Sequence, residues 1–278
     1  MQATRKLIGV LALGIYQVAH CEDTTSTTTS TAKSTTSTST KTTTTDEVYR
    51  QAMKQYKSKE QELLAQWEKD EEGYRNLPAR AWPAYQPDIE DIPKIQQNLN
   101  DLDCPSDVQS SNWNSAKCSK LQFELATAYL YNNHDHSKGL KIYRDLAENA
   151  AHPDSMCAMG VVLVEGLGCD ASEKEGIEFL TRACVDHSHP QAMYELGSAY
   201  YSGVEGHLEE SETIAFEYFD RASEAGHFAG MFMVADCLME GMGSKVDVQR
   251  AVPLLFTAAE SGHRYARQKM RELFTKYT

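Results

Sequence analysis

A pattern of about 37 residues occurs three times between His152 and His263, and it constrains the fold more strongly than any other feature of the sequence. The histidines that open and close the copies, His152, His189, His227 and His263, are separated by steps of 37, 38 and 36 residues. A fixed period in this range is typical of a solenoid, in which each repeat is one supersecondary unit stacked on the next.

Each repeat is predicted to be a hairpin of two helices. In the copy that begins at His189, the apolar residues Ala192, Leu196 and Tyr200 have helical spacing. Gly203 then favours the end of the first helix, because glycine adopts a left-handed cap at little cost. A hairpin of this size cannot bury its apolar face alone, so neighbouring hairpins are expected to stack and share one core.

The pattern Ala-x-x-x-Leu-Gly-x-x-Tyr-x-x-Gly, followed by a helix that ends in Ala-x-x-x-Gly-His, resembles the Sel1-like repeat, a relative of the tetratricopeptide repeat. The match is best over residues 192–227, and a degraded earlier copy has Asn132 and Asn133 where the loop glycine should be. The resemblance implies an all-α fold, an α/α superhelical solenoid. Its repeats are expected at about 118–152, 153–189, 190–227 and 228–263, with a capping helix at 264–276.

Residues 1–21 are predicted to be a targeting segment. Arg5 and Lys6 precede an apolar run of about 13 residues, and the small residues Ala19 and Cys21 suit cleavage after Cys21. The run is shorter than the roughly 20 residues of a membrane-spanning helix. A secretory signal is the first interpretation. A mitochondrial presequence is the alternative, because residues 1–21 contain no Asp or Glu, and an uncleaved anchor is the third.

Three further segments precede the repeats. Residues 22–45 are a low-complexity Thr/Ser tract, predicted to be a disordered linker or, in a secreted protein, a glycosylated stalk. Residues 46–77 are predicted to be helical, as one helix over 46–76 that either docks on the solenoid or seeks a partner. Residues 78–117 contain several prolines and are predicted to be an extended, irregular linker, with a short helix near 94–102.

The six cysteines that follow Cys21 suggest disulfides in a protein with an export signal. Cys157 and Cys184 are expected at adjacent ends of one hairpin, which makes a bond feasible. Cys104 and Cys118 can close a loop of about 15 residues and stabilise the fold by roughly 3 kcal/mol. Cys237 is predicted to be a buried free thiol.

The sequence offers little support for catalysis or for a bound cofactor. It has no nucleophile elbow, no His-Glu-x-x-His and no phosphate-binding loop. Cys184, His187 and His189 are close together, but His189 belongs to the series of repeated turn histidines, so neither a metal nor any other cofactor is predicted. With a net charge of −13, neither nucleic acid nor an anionic membrane surface is an expected partner.

A protein partner is therefore predicted, in the form of a peptide segment or helix in a concave groove lined by the first helices. The candidate positions lie off the packing stripe of each first helix, and the alternative is an ordinary solvated face. They form three rows: Ala158, Val161 and Glu165; Glu195, Ser198 and Ser202; and Met233, Asp236 and Glu240.

From the resemblance we expect a non-enzymatic interaction scaffold, since the family mostly serves that role, although a fold alone does not name a function. Two settings follow from it. The first is protein quality control in the endoplasmic reticulum lumen, within the secretory pathway. The second is the mitochondrion, where an assembly factor for respiratory complexes is the corresponding role. Hydrolase activity, the remaining class, lacks a supporting motif.

Overall fold

The structure is a computed structural model, which describes residues 45–74, 89–104, 115–131, 135–204 and 206–277. These residues are almost entirely helical, and the only strand-like pairing among them is an isolated bridge between Val204 and Leu208. The predicted signal segment at 1–21, nearly all of the Thr/Ser tract and much of the proline-containing linker lie outside the described residues.

Twelve α-helices are present in the described part of the chain, and two short 3-10 helices occur at Lys57–Lys59 and Ile89–Asp91. The α-helices are α1 (Thr45–Met53), α2 (Glu60–Tyr74), α3 (Ile92–Asp101), α4 (Ala116–Tyr131), α5 (His136–Asn149), α6 (Pro153–Glu165), α7 (Glu173–His187), α8 (Pro190–Ser202), α9 (Glu212–Glu224), α10 (Phe228–Glu240), α11 (Val248–Glu260) and α12 (Arg264–Tyr277).

Four hairpins form the stack: α4–α5, α6–α7, α8–α9 and α10–α11, with α12 packed on α11. The first helices of the last three hairpins begin directly after His152, His189 and His227. Glycines in the left-handed conformation, Gly166 and Gly241, end α6 and α10. The chain is therefore an α/α solenoid, as the period of the sequence predicts.

Burial in α6 shows why the hairpins depend on one another. Every residue from Ser155 to Leu163 is buried, so this helix is covered on all sides rather than along one stripe. One core cluster joins side chains from consecutive hairpins, from Ala126 on α4 to Ala222 on α9. A second cluster runs from Ala215 on α9 to Phe274 on α12. Each hairpin thus buries its apolar surface only in the presence of its neighbours.

Two glycines set the closest approach inside the second hairpin. A Cβ atom built on Gly160 of α6 would lie 2.9 Å from the carbonyl oxygen of Gly176 on α7, and one on Gly176 would lie 2.8 Å from the carbonyl oxygen of Gly160. Because both contacts are with backbone atoms, a larger residue cannot be accommodated by a side-chain rotation. The helices therefore cross where neither carries a side chain.

The helix predicted over 46–76 is not continuous. The structure divides it into α1 and α2, separated by residues 54–59, which include the short 3-10 helix. The division coincides with the polar stretch Lys57–Gln61, which offers nothing to bury. Both halves dock on the end of the solenoid: Met53 is fully buried and Trp67 is nearly so, in the cluster that contains α11 and α12.

The opposite end of the stack is covered by α3. Its residues Ile92, Ile95 and Leu99 are buried against Leu125 and Tyr129 of α4. A disulfide between Cys104 and Cys118, whose Cα atoms are 5.6 Å apart, joins the segment after α3 to the start of α4. The first hairpin is thereby tied covalently to the helix that precedes it.

The substitution Gly160→Ala is expected to lower the free energy of unfolding by about 1–3 kcal/mol, because the added methyl group overpacks the helix crossing. This cost opposes the higher helix propensity of alanine, which alone would be stabilising by about 1 kcal/mol. Urea denaturation followed by circular dichroism measures the change. Thr181→Ala on the exposed side of α7 is the matched control and should stay within about 0.5 kcal/mol of wild type. Equal stability of the two variants would contradict the close approach.

Candidate functional site

The four repeated histidines cap four helices in the same way. In each case the ring Nδ1 atom accepts the backbone N–H of the residue three positions later, which leaves one fewer unpaired donor in the first helical turn. The distances are 3.3 Å from His152 to Ser155, 3.3 Å from His189 to Ala192, 3.1 Å from His227 to Gly230 and 3.2 Å from His263 to Ala266.

Two of these rings also reach the preceding repeat through the other nitrogen. His189 Nε2 lies 3.0 Å from Asp154 Oδ1, and His227 Nε2 lies 2.7 Å from Gln191 Oε1. Asp154 and Gln191 each stand two residues after the histidine of the earlier copy. Because Nδ1 accepts a backbone N–H, the proton of a neutral ring is on Nε2, which can donate to these oxygens. The histidines therefore form a ladder of contacts between consecutive hairpins.

Burial keeps the later members of this ladder neutral. Desolvation lowers the pKa of His227 to about 4, helped by the neighbouring His263 and His189. Desolvation also lowers the pKa of His263 to about 4. The pKa of Asp154 is lowered, chiefly by the hydrogen bond from His189. At neutral pH the caps of α10 and α12 are thus made by uncharged imidazoles.

The structure corrects the predicted partner-binding rows. Glu195, Ser198 and Met233 are buried, as are Ala158 and Val161, so these five positions do not form an exposed groove. The reason is that a first helix in this stack also faces the preceding hairpin. Glu195 accepts a hydrogen bond of 2.6 Å from Gln191 Nε2. It also lines a small cavity between consecutive hairpins.

That cavity lies between the second and third hairpins and is mostly apolar. Its wall is formed by side chains from both hairpins and from the loop that follows α8: Val164, Ile177, Leu180, Glu195, Ala199, Ser202 and Val204. Polar residues on the first helices were predicted to face a partner, yet at Glu195 the polar side chain faces the inside of the stack. The burial of these rows is therefore a consequence of repeat stacking.

The remaining predicted residues lie towards the C-terminal ends of the first helices. Glu165, Ser202 and Glu240 are the last residues of α6, α8 and α10. Asp236 is half-buried one turn earlier and pairs with Lys269 at 3.2 Å, and Lys269 is also 3.8 Å from Glu240. Asp236 and Glu240 thus share one lysine, while Glu165 and Ser202 occupy the equivalent helix ends of the two preceding hairpins.

We call this surface the helix-end edge. It is defined by the three helix-terminal residues and by exposed carboxylates in the loops that follow α6 and α8: Glu165, Ser202, Glu240, Asp170, Glu209 and Glu210. The C-terminus of a helix carries a partial negative charge, so the backbone adds to the charge of these side chains. Five of the six residues that define the helix-end edge are carboxylates.

The cysteine pairing differs in part from the prediction. Cys104 and Cys118 form a disulfide, but the predicted bond between Cys157 and Cys184 is wrong, since both are free thiols. Burial raises the pKa of the Cys157 thiol, and the carboxylate of Glu195 on α8 raises it further. Cys184 is hydrogen-bonded to Arg221 on α9, although burial still raises the pKa of its thiol.

Cys237 is buried with a free thiol, and burial raises its pKa to about 12. A thiol with such a pKa is a weak nucleophile at neutral pH. Within the described ranges, no group of three or more His, Cys, Asp or Glu side chains is arranged to hold a metal ion. None of the helices described here combines the length and the apolar character that a membrane span requires.

Two sets of contacts in the structure are not predicted from the sequence. The repeated histidines are predicted only as markers of a turn, and their partners Asp154 and Gln191 are not, although a polar residue stands two positions after both His152 and His189. The contact of Arg267 with Trp67, in which the guanidinium lies 5.8 Å from the ring centroid, is not predicted either. No local pattern relates two residues that are 200 positions apart.

Comparison with known families agrees with this geometry. The family model described as the Sel1 repeat matches residues 153–184, 190–227 and 229–263. Residues 153–263 are Sel1 repeats. The hairpin α4–α5, which was predicted to be a degraded copy, has the same two-helix form but lies outside the matched ranges.

A curated relative and two solved structures are similar to this chain. The chitin synthase regulator SKT5 of Saccharomyces cerevisiae is 32% identical over 97 residues, which are 35% of this chain and 14% of that protein. A Sel1 repeat protein from Oxalobacter formigenes is 26% identical with a TM-score of 0.48, covering 56% of this chain and 44% of that one.

The other solved structure is a protective antigen present in uropathogenic Escherichia coli strains, with an SLR fold. It is 20% identical with a TM-score of 0.49, and the likeness covers 79% of this chain and 50% of that chain. In all three comparisons the match spans half or less of the other protein.

The stability of the Sel1 repeats is expected to fall as the pH is lowered from 6.5 to 4. Unfolded His227 and His263 take up protons near pH 6.5, whereas the folded residues do so only near pH 4. In this interval the unfolded state binds more protons, so the contribution of neutral caps is full above pH 6.5 and lost by pH 4. Urea denaturation at intervals between pH 7 and 4 measures the loss.

His227→Asn tests this assignment, because asparagine can still cap α10 but does not titrate. In this variant the loss of stability over the interval should be smaller by up to about 3 kcal/mol. His207→Asn, in an exposed loop, is the matched control and should retain the wild-type dependence on pH. The same dependence in both variants would show that the ladder does not cause the acid sensitivity.

Proposed function

We propose that the protein is a non-enzymatic scaffold that holds another protein along the helix-end edge. The observation that carries this proposal is the division of the first helices into buried and accessible parts. Their middles are enclosed by neighbouring hairpins, whereas Glu165, Ser202 and Glu240 at their ends are partly or fully accessible. Membership of residues 153–263 in the Sel1 repeats supports an interaction role.

The charge of this surface indicates the chemistry of the partner. The loop residues Asp170, Glu209 and Glu210 are exposed, and the chain as a whole carries a net charge of −13. A partner segment with Lys or Arg side chains therefore complements the edge, while an acidic one is repelled. We propose a basic or polar peptide segment that runs across several repeats.

We propose the endoplasmic reticulum lumen as the setting, with a role in protein quality control. The disulfide between Cys104 and Cys118 supports an oxidising compartment, where such bonds form and persist. The targeting segment predicted at 1–21 supports the same setting. The similarity to a yeast chitin synthase regulator favours a protein that controls another protein over one that performs catalysis itself.

A mitochondrial assembly factor is the second candidate. The absence of Asp and Glu from residues 1–21 favours a presequence, and a disulfide is also compatible with the intermembrane space. The two settings differ in where the precursor is cut, so they can be separated directly.

The double substitution Glu209→Lys/Glu210→Lys is expected to reduce partner recovery by about tenfold, equivalent to about 1.4 kcal/mol, because it reverses charge on the helix-end edge. Recovery is measured by chemical crosslinking of the tagged full chain, affinity purification and quantitative mass spectrometry. Glu178→Lys/Glu217→Lys makes the same change in charge on the exposed sides of α7 and α9 and should leave recovery unchanged. Equal losses in both double variants would mean that only net charge matters.

The mature N-terminus distinguishes the two settings. A start at Glu22 together with fractionation into secretory membranes is the expected result. N-terminal peptide mapping of the tagged protein provides the start, and fractionation provides the compartment. A start within or beyond the Thr/Ser tract, with mitochondrial enrichment, would overturn the proposal for the endoplasmic reticulum and leave the scaffold role intact.

A further inference from the structure

The N-terminal arm, which we define as residues 45–74, docks on the last two helices of the solenoid. Met53 of α1 is fully buried and Trp67 of α2 is 1% exposed, both in the core cluster of α11 and α12. More than 170 residues separate this arm from α11 in sequence. The face of α11 and α12 therefore receives a helical segment that does not belong to the repeats.

Aromatic side chains make the contact specific. The ring of Tyr56 stacks on Phe256 of α11 with centroids 4.2 Å apart. The ring of Tyr49 stacks on Tyr277 of α12 at 5.0 Å and an interplanar angle of 7°, and Tyr277 Oη donates a hydrogen bond of 3.0 Å to Asp46. The guanidinium of Arg267, itself buried, lies over the Trp67 ring. Stacked aromatics and a cation over an indole ring are directional contacts.

The charges of the two surfaces are complementary. The α12 helix contains five basic residues and one acidic residue, and the described side chains at the start of α2 are mainly acidic. The residues concerned are Arg264, Arg267, Lys269, Arg271, Lys276 and Glu272 on α12, and Glu60, Glu62, Glu68 and Lys69 on α2. A helix rich in acidic residues thus packs on a helix rich in basic residues, and this composition favours an acidic occupant over a basic one.

The arm lacks two stabilising features that occur elsewhere in the described structure, the histidine ladder and the disulfide. Its helices have 9 and 15 residues and are separated by residues 54–59, and helices of this length are marginal in isolation. Neither helix contains a residue of the histidine ladder. The only disulfide among the described residues ties α3 to α4 at the other end of the stack. The described contacts of the arm with α11 and α12 are therefore all non-covalent.

We propose that the α11–α12 face is a second binding site for a protein partner. Its ligand is a short acidic amphipathic helix that has one apolar and one aromatic side chain to bury. In the free protein the arm occupies this site in place of the ligand. The proposal rests on the scaffold function but concerns a surface of opposite charge. A partner helix that binds here displaces the arm, and binding is therefore weaker in the intact chain than in a chain whose arm is released.

A fluorescent synthetic peptide with the sequence of residues 45–74 is the probe, and Met53→Lys in the full-length chain is the release variant. Fluorescence anisotropy should show at least tenfold tighter binding of the peptide to this variant than to wild type. Gln51→Lys adds the same charge at an exposed position of α1 and should bind the peptide as wild type does. A peptide that carries Met53→Lys and Trp67→Ala should not bind the release variant.

Hydrogen–deuterium exchange of the wild-type chain provides a second measurement, which does not depend on the folding of the release variant. A large excess of the peptide should accelerate exchange of the α1 amides of the full chain, with no change in α6 or α8. Peptide binding without faster α1 exchange would overturn the proposal, because the ligand would then occupy another surface. So would a folded release variant that fails to bind the peptide. Either outcome leaves the helix-end edge untouched, since its test depends on Glu209 and Glu210.

Discussion

A hairpin of two short helices has no interior of its own, and the rest of this structure depends on that constraint. The first helix of the second hairpin is buried from Ser155 to Leu163, which requires cover from its partner helix and from the hairpins on both sides. Burial on every side requires close approach, and the glycine pair Gly160 and Gly176 supplies it. The stability of each hairpin is thus largely a property of the interfaces between repeats.

Burial alone does not fix how one hairpin is aligned with the next, and the histidine ladder contributes to this alignment. A serine or aspartate can cap a helix as well as a histidine can, but it has no second ring nitrogen pointing away from the helix. With Nδ1 on the cap, Nε2 of His189 and His227 reaches Asp154 and Gln191 in the preceding repeat. At His263 the equivalent earlier position is Ala229, which has no polar atom to offer, and the ring instead stacks on Phe232 at 4.7 Å. One residue type thus serves helix capping and repeat alignment together.

The repeated hairpins could be predicted because their signals are local: a histidine before each first helix and a glycine after it. The partner surface could be predicted only in part, because exposure depends on how many layers cover a helix. Glu195 looks like a surface residue in sequence, yet it is buried against the preceding hairpin. Cys157 and Cys184 are predicted at adjacent ends of one hairpin, but both thiols are free, and each interacts with a residue of the next hairpin. The docking of Met53 and Trp67 joins the two ends of the chain, and no periodicity contains that information.

The burial of the first helices also determines how a partner can be held. Since their middles face neighbouring hairpins, the first helices contribute their C-terminal ends and the loops that follow to the helix-end edge. One such end is a small contact, but the contacts recur at the spacing of the repeats, so a partner that spans several of them gains affinity from all of them together. The arm binds differently, because it buries a few large side chains, such as Met53 and Trp67, against a single face formed by α11 and α12. Because the two proposed sites differ in charge, we expect them to bind different partners.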